Sequence, residues 1–170
     1  MSAAFAYIGL GSNLAHPRRQ IAKALARLAR LPASRLLAVS PNYLTEPLGT
    51  PDAQPEYVNA VALLRTALAP RALLARLHAL ERRQQRRRGP DVPRNAARTL
   101  DLDLLLYGAR RTRTPALTLP HPRMHERAFV LRPLLDVDPA AVVPGRGLAR
   151  MRLRALRGQR IVPTHRRALP

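Results

Sequence analysis

A chain of 170 residues that is 46% hydrophobic has the size and composition of one globular domain, and not of a disordered segment. It has no cysteine, which excludes disulfides and thiolate metal sites, and no stretch reaches the roughly 18 apolar residues of a membrane span. The formal charge of +20 comes almost wholly from arginine, Lys23 being the only lysine, and it attracts polyanions without choosing among nucleotides, nucleic acid and acidic surfaces.

Ala4 to Leu10 reads as a strand closed by Gly11-Ser12-Asn13. Pro17 suits the first turn of a helix, with Ile21, Leu25, Leu28 and Leu31 at helical spacing until Pro32 ends it. A second strand is expected from about Leu36 to Tyr43. Thr45 to Pro55 holds three prolines and a glycine in eleven residues and is a loop. Tyr57 to Leu68 resumes as a strand, and Pro70 opens a helix with Leu73, Leu74, Leu77 and Leu80 inward. After Glu81 that helix dissolves into residues 82–98, with seven arginines against one acid, Asp91. Asp101 to Tyr107, stopped by Gly108, reads as a buried strand. Leu117-Thr118-Leu119 is a short strand before Pro120-His121-Pro122, and a third helix is expected over roughly Met124 to Leu135.

The order strand, helix, strand, strand, helix, strand argues an α+β fold. The expected core is a ferredoxin-like βαββαβ arrangement, with helices packed on an antiparallel sheet and mobile loops over the site. It spans residues 1–144. Residues 145–170, with eight arginines and no acid, are expected to form a basic C-terminal extension, either helical around Leu148 to Leu156 or disordered. The N-terminus Met1-Ser2-Ala3-Ala4-Phe5 lacks the charged start and apolar core of a secretory signal, so a soluble cytoplasmic protein is expected.

Chemistry concentrates around Asp101 and Asp103. On a strand, side chains two positions apart share a face, roughly 7 Å from one another by the strand rise. A half-buried carboxylate pair needs a positive partner, and magnesium, held by one or two carboxylates while substrate phosphates and water complete its shell, is the natural one. The alternative is a solvated Asp-x-Asp on an edge strand. Directly before it, Arg86, Arg88, Arg94 and Arg98 offer planar bidentate contacts to phosphate, although a solvated basic loop has the same composition. Tyr57 and Phe129 are two of only six aromatic residues, and two rings sandwich a heteroaromatic ligand as readily as they fill a core. Asn59 shares the strand face of Tyr57 and carries a donor and an acceptor for a heterocycle edge, or brackets backbone. His121 and His125 have the spacing of a helical zinc pair, but Pro122 intervenes and no third ligand is evident; His121 suits a phosphate or base contact better.

These residues fall within five segments: Tyr7-Ile8-Gly9-Leu10-Gly11-Ser12-Asn13-Leu14, Thr45-Glu46-Pro47-Leu48-Gly49, Gln54-Pro55-x-Tyr57-x-Asn59, Arg98-Thr99-Leu100-Asp101-Leu102-Asp103-Leu104 and Leu119-Pro120-His121-Pro122-Arg123-Met124-x-x-Arg127-x-Phe129. In that order they resemble the 6-hydroxymethyl-7,8-dihydropterin pyrophosphokinase family, over roughly residues 4–143. The resemblance implies transfer of pyrophosphate from ATP to the hydroxymethyl group of a pterin alcohol, in folate biosynthesis, with release of AMP. It implies that Asp101 and Asp103 hold two magnesium ions and that Arg86 and Arg98 act in catalysis. Tyr57 and Phe129 would stack on the pterin while Asn59, Thr45 and Leu48 read its edge. The nucleotide would lie against His78, Glu81, Arg88, Arg98, Leu104, Thr118, His121 and Arg127. The enzyme is expected to act as a monomer, with no membrane and no obligatory nucleic-acid partner.

Departures from the family pattern are visible. Asn95-Ala96-Ala97-Arg98 stands where the family often has Trp-Gly-Pro-Arg, so an aromatic lid residue is missing at Asn95. His78 replaces a common glutamine, and Ala116 replaces an arginine for which Arg113 or Arg123 could compensate. The competing reading is a basic nucleic-acid-binding module; six aromatic residues, none of them tryptophan, argue against it.

Overall fold

The protein is described from a computed structural model covering residues 3–47, 54–85 and 96–164. Its first half runs β1 (Ala4–Ser12), α1 (Pro17–Leu28), β2 (Ser34–Val39), β3 (Tyr43–Thr45), β4 (Tyr57–Thr66), α2 (Pro70–Arg83) and β5 (Asp101–Tyr107). A hairpin follows, β6 (Thr112–Thr114) with β7 (Leu117–Leu119), and then α3 (Ala128–Val137). The chain ends in β8 (Val142–Val143), β9 (Gly147–Leu148), α4 (Ala149–Arg154) and β10 (Ile161–Pro163). The main sheet has the order β10-β3-β4-β1-β5, with β2 also pairing β4, and every described pairing in it is antiparallel. The expected ferredoxin-like core is present: β1 crosses by α1 to the far side of β4, and β4 crosses by α2 back to the far side of β1.

Alternation along the strands makes two apolar faces. Ile8 and Leu10 of β1, Leu102 and Leu104 of β5 and Leu64 of β4 bury against Ile21 and Leu28 of α1 and Leu73 and Leu77 of α2. On the other face, Val61 and Leu105 pack with Met124, Leu131 and Leu134 of the α3 region. Covering that second face only in part, α3 leaves open the end of the sheet where Asp101 and Asp103 stand.

Glu81 belongs to the first layer. It is 0% exposed, and its Oε1 accepts the backbone N–H of Leu102 at 2.9 Å, which fastens α2 to β5. Glu81→Ala strands that buried N–H and is expected to lower stability by about 1–3 kcal/mol. A fall in melting temperature of several degrees in thermal unfolding would show it.

Three segments depart from expectation. The predicted strand Leu36 to Tyr43 is broken in two, because Pro41 has no N–H for the ladder. The Ser40 hydroxyl bridges the break by accepting Val61 N–H at 2.9 Å. The predicted helix from Met124 is a 3-10 turn, Met124–Glu126, separated from α3 by Arg127 in extended backbone (φ −124°, ψ 106°). Beyond residue 145 the expected basic helix is present as α4, packed on α3, and the chain unexpectedly goes on to add β10 to the main sheet through Ile161↔Thr45, Val162↔Leu44 and Pro163↔Tyr43. The apolar pair Ile161-Val162 carries this pairing, and the surrounding arginines conceal it in the sequence.

Candidate active site

β1 runs between β4 and β5, and its glycines shape the site. The register sets Gly11 opposite Asn59 on one side and Asp101 on the other, and Gly9 opposite Val61 and Asp103. Residues directly opposed in antiparallel strands share a face, so Asn59, Gly11 and Asp101 form one row, and Asp103 stands beside it. Asn59 and Asp101 are thus two strand spacings apart, about 10 Å. Between them the floor is bare backbone. A Cβ on Gly11 would lie 3.2 Å from Asn59 Oδ1 and 3.7 Å from Asp101 Cβ.

Neighbouring segments raise walls around this floor. Thr45 and Glu46 close one side, Tyr57 and Arg98 another, and Arg123, Arg127 and Phe129 a third, giving a pocket of ≈ 310 Å³. That is enough for a bicyclic heterocycle. Asn59 is 5% exposed, and its Nδ2 donates to Thr45 Oγ1 at 2.7 Å, which fixes the amide's orientation. Arg127 Cζ sits 5.5 Å from the centroid of the Phe129 ring. Asn13 ties the mouth together: its Oδ1 accepts Arg98 N–H at 2.8 Å and its Nδ2 donates to Pro55 O at 3.2 Å.

Charge in the pocket is arranged around the two carboxylates. Arg98 Nη1 pairs with Asp101 Oδ2. Burial disfavours the Arg98 charge, but Asp101, Tyr57 and Asp103 outweigh it and hold the guanidinium above its ordinary pKa. Burial and then Arg123 push Arg127 down, against the pull of Asp103 and Asp101. Burial, reinforced by Arg127, takes His121 down to about 4, so this imidazole is neutral at pH 7. Its Nδ1 accepts Arg123 N–H at 3.3 Å, which leaves the proton on Nε2. Nε2 lies 3.9 Å from Asp103 Oδ2, a contact between a neutral ring and a carboxylate and not an ion pair.

Among the described residues no group of three or more His, Cys, Asp or Glu side chains is placed to hold a metal ion. Asp101 and Asp103 offer hard oxygen donors from one strand face. Two such carboxylates suit a magnesium ion that takes its remaining ligands from phosphate and water.

Of the residues singled out in the sequence, the pocket brings together Thr45, Tyr57, Asn59, Arg98, Asp101, Asp103, Arg127 and Phe129. Thr118 and His121 line a second, more open cavity of ≈ 630 Å³ that also holds Arg113. Leu104 is 3% exposed in the core, Glu81 is fully buried, and His78 is half-buried on α2; none of the three lines either cavity. Leu48, Arg86, Arg88, Arg94 and Asn95 lie outside the described residues. Sequence reasoning missed the pocket-lining roles of Gly9, Gly11, Leu105, Glu126 and Gln159. The two glycines had a signal, alternate positions on a strand otherwise rich in larger residues. Gln159 had none.

The profile of the family described as 7,8-dihydro-6-hydroxymethylpterin-pyrophosphokinase (HPPK) matches residues 7–139. A protein of Pseudomonas aeruginosa named 2-amino-4-hydroxy-6-hydroxymethyldihydropteridine pyrophosphokinase is 52% identical over 138 residues, 81% of this chain and 83% of its own. A protein of the same name from Haemophilus influenzae is 45% identical over 139 residues, covering 82% and 84%. Among solved structures, an HPPK-DHPS in complex with substrates superposes with a TM-score of 0.70 at 12% identity, a likeness of fold alone. The match covers 91% of this chain and 43% of that one, so the chain spans less than half of the protein in that structure. By profile and by sequence identity, the chain belongs to the 7,8-dihydro-6-hydroxymethylpterin-pyrophosphokinase family, the pterin pyrophosphokinases of folate biosynthesis.

Proposed function

We propose that this pyrophosphokinase takes ATP as donor and 6-hydroxymethyl-7,8-dihydropterin as acceptor, with magnesium held at Asp101 and Asp103. The observation that carries the reading is the row Asn59, Gly11, Asp101 on one sheet face. It sets an oriented amide about 10 Å from a carboxylate pair across a floor without side chains. A flat pterin laid on Gly11 meets Asn59 with its hydrogen-bonding edge and directs its hydroxymethyl arm toward Asp101. Tyr57 and Phe129 border the same pocket and supply the rings for stacking.

In the transfer, the hydroxymethyl oxygen bonds to the β-phosphorus while the bond from that phosphorus to the oxygen bridging the α-phosphate breaks. AMP leaves with the electron pair, and the hydroxyl proton is lost to water. Asp101 and Asp103 would hold magnesium, which would supply neutralisation of phosphate charge. Arg98 and Arg127 meet the charge that develops on the transferred group, and the neutral His121 offers Nε2–H as a hydrogen-bond donor. Arg123, which lines the pocket, and Arg113, which lines the second cavity with Thr118 and His121, are the two candidates to stand in for the arginine replaced by Ala116. Arg86, Arg88 and Leu48 keep their expected substrate contacts in this reading, with His78 and Thr118 on the nucleotide side and Glu81 and Leu104 supporting that side from the core behind it.

In this reading the enzyme acts as a monomer. No helix among the described residues is long and apolar enough to cross a membrane. The testing experiment mixes the protein with ATP, magnesium and 6-hydroxymethyl-7,8-dihydropterin and separates the nucleotides. AMP in step with pterin diphosphate is expected, abolished by EDTA and restored by magnesium. ADP, or no nucleotide product from folded protein, would overturn the reading.

A further inference from the structure

The start of α3 has to be held in an unusual shape. Arg127 is extended between a 3-10 turn and a helix, and has no side-chain cap of its own. A helix start leaves backbone N–H groups in need of acceptors. Here one is met from far along the chain: Ala128 N–H donates to Gln159 Oε1 at 2.8 Å, and Gln159 Nε2 donates to Glu126 O at 2.8 Å. A single amide thus clasps the backbone on both sides of Arg127. It fixes the break that turns Arg127 and Phe129 into the same pocket, and Gln159 itself lines that pocket.

The clasp is anchored to the opposite wall. Two residues on, Ile161 pairs with Thr45 in the main sheet, and Arg160 Nη1 reaches Glu46 Oε1 at 3.1 Å. Thr45 holds the Asn59 amide. Residues 159–161 therefore connect the wall that reads the heterocycle to the wall that carries the arginine and the ring. They lie outside residues 7–139, the segment that matches the family.

We infer that Gln159 is a positioning residue for Arg127 and Phe129, and that the basic C-terminal segment is part of the active site. The inference rests on the pyrophosphokinase reading for its kinetic consequences and on the two hydrogen bonds for its structural ones. Gln159→Ala removes both bonds, and a small misplacement of a substrate-facing group costs roughly tenfold to a hundredfold in rate. Gln159→Glu keeps the acceptor for Ala128 N–H but sets a carboxylate oxygen against Glu126 O, so it too should lose activity while shifting the Ala128 amide less than Gln159→Ala does.

The test compares parent, Gln159→Ala, Gln159→Glu, Phe129→Ala and the double variant Gln159→Ala/Phe129→Ala. It measures kcat, KM for the pterin, melting temperature and the backbone amide spectrum. For Gln159→Ala we expect kcat/KM to fall at least about tenfold well below its melting temperature. The Ala128 amide resonance should shift, and little further loss should follow in the Phe129→Ala background, because coupled residues are not additive. Should Gln159→Ala fail to fold, Gln159→Glu carries the same comparison. Parental kinetics in the folded variants, or losses that add fully to Phe129→Ala, would overturn the inference. Failure of the parent to form AMP would instead sink the pyrophosphokinase reading, while the Ala128 amide shift alone would still decide whether Gln159 holds this backbone.

Discussion

Asp101→Asn and Asp103→Asn are each expected to cut AMP formation by roughly 10³-fold or more, the scale on which preorganised electrostatic groups act in a transfer of charged phosphate. The fold should survive. Both side chains stand on the pocket face of β5, whereas the strand is fastened by Leu102 and Leu104 on its other face and by Glu81 on the Leu102 N–H. Asparagine keeps the shape and one oxygen but loses the negative charge that a hard divalent cation requires. Circular dichroism and a melting curve separate loss of chemistry from loss of fold. Turnover within a few-fold of the parent for either variant, at saturating magnesium, would show that the cation is not held there.

The same pair shows how much the sequence discloses. Asp-x-Asp followed by a leucine run is legible because the strand period is two, so two carboxylates and one apolar face can be assigned from the letters alone. Asn59 and Tyr57 are legible on the same grounds. What joins them to Asp101 is not local. Only the register of β1 against β4 and β5 makes Gly11 the bridge, and no sequence window contains all three. Glu81 is hidden from the sequence in another way. The family resemblance sets it beside the nucleotide, and no local pattern foretells that tertiary packing turns it inward onto a backbone N–H. Gln159 lies in a segment whose composition argues for solvent, and two hydrogen bonds to residues more than 30 positions away decide its role. Local period and turn chemistry are written in single segments; long-range pairings are not.

The basic tail also changes the meaning of the net charge. Read as composition, the arginines after residue 145 call for a polyanion. In the fold, Arg160 pairs with Glu46, and Arg152 donates from Nε to Arg146 O at 2.8 Å. Part of the positive excess is thus engaged within the chain. The arginines most relevant to an anionic substrate are the few brought beside Asp101 and Asp103.

Among those, Arg127 is expected to show the clearest conflict between activity and stability. Burial and the neighbouring Arg123 both lower its pKa, so folding places this cation where its charge is disfavoured. It nevertheless stays protonated at neutral pH, as arginine does in proteins. Such strain persists where function requires it. The guanidinium is poised by its stacking near Phe129 and by the attraction of Asp103 and Asp101. Negative charge arriving with phosphate supplies the partner that the free protein lacks in full measure. Arg127→Ala should therefore reduce kcat by about 10²–10³-fold, the typical cost of deleting one preorganised donor to a developing charge. Arg127→Lys should recover only part of it, since an ammonium cannot make the planar bidentate contact. Melting temperature in the absence of substrate should stay level or rise in Arg127→Ala, because a desolvated charge beside Arg123 and Arg98 has been removed. Added ATP and magnesium should then stabilise the parent more than the variant, in line with a ligand that binds the native state through this group. A variant with parental kcat, or one that loses stability in step with activity, would place Arg127 in the framework of the fold and not at the phosphates.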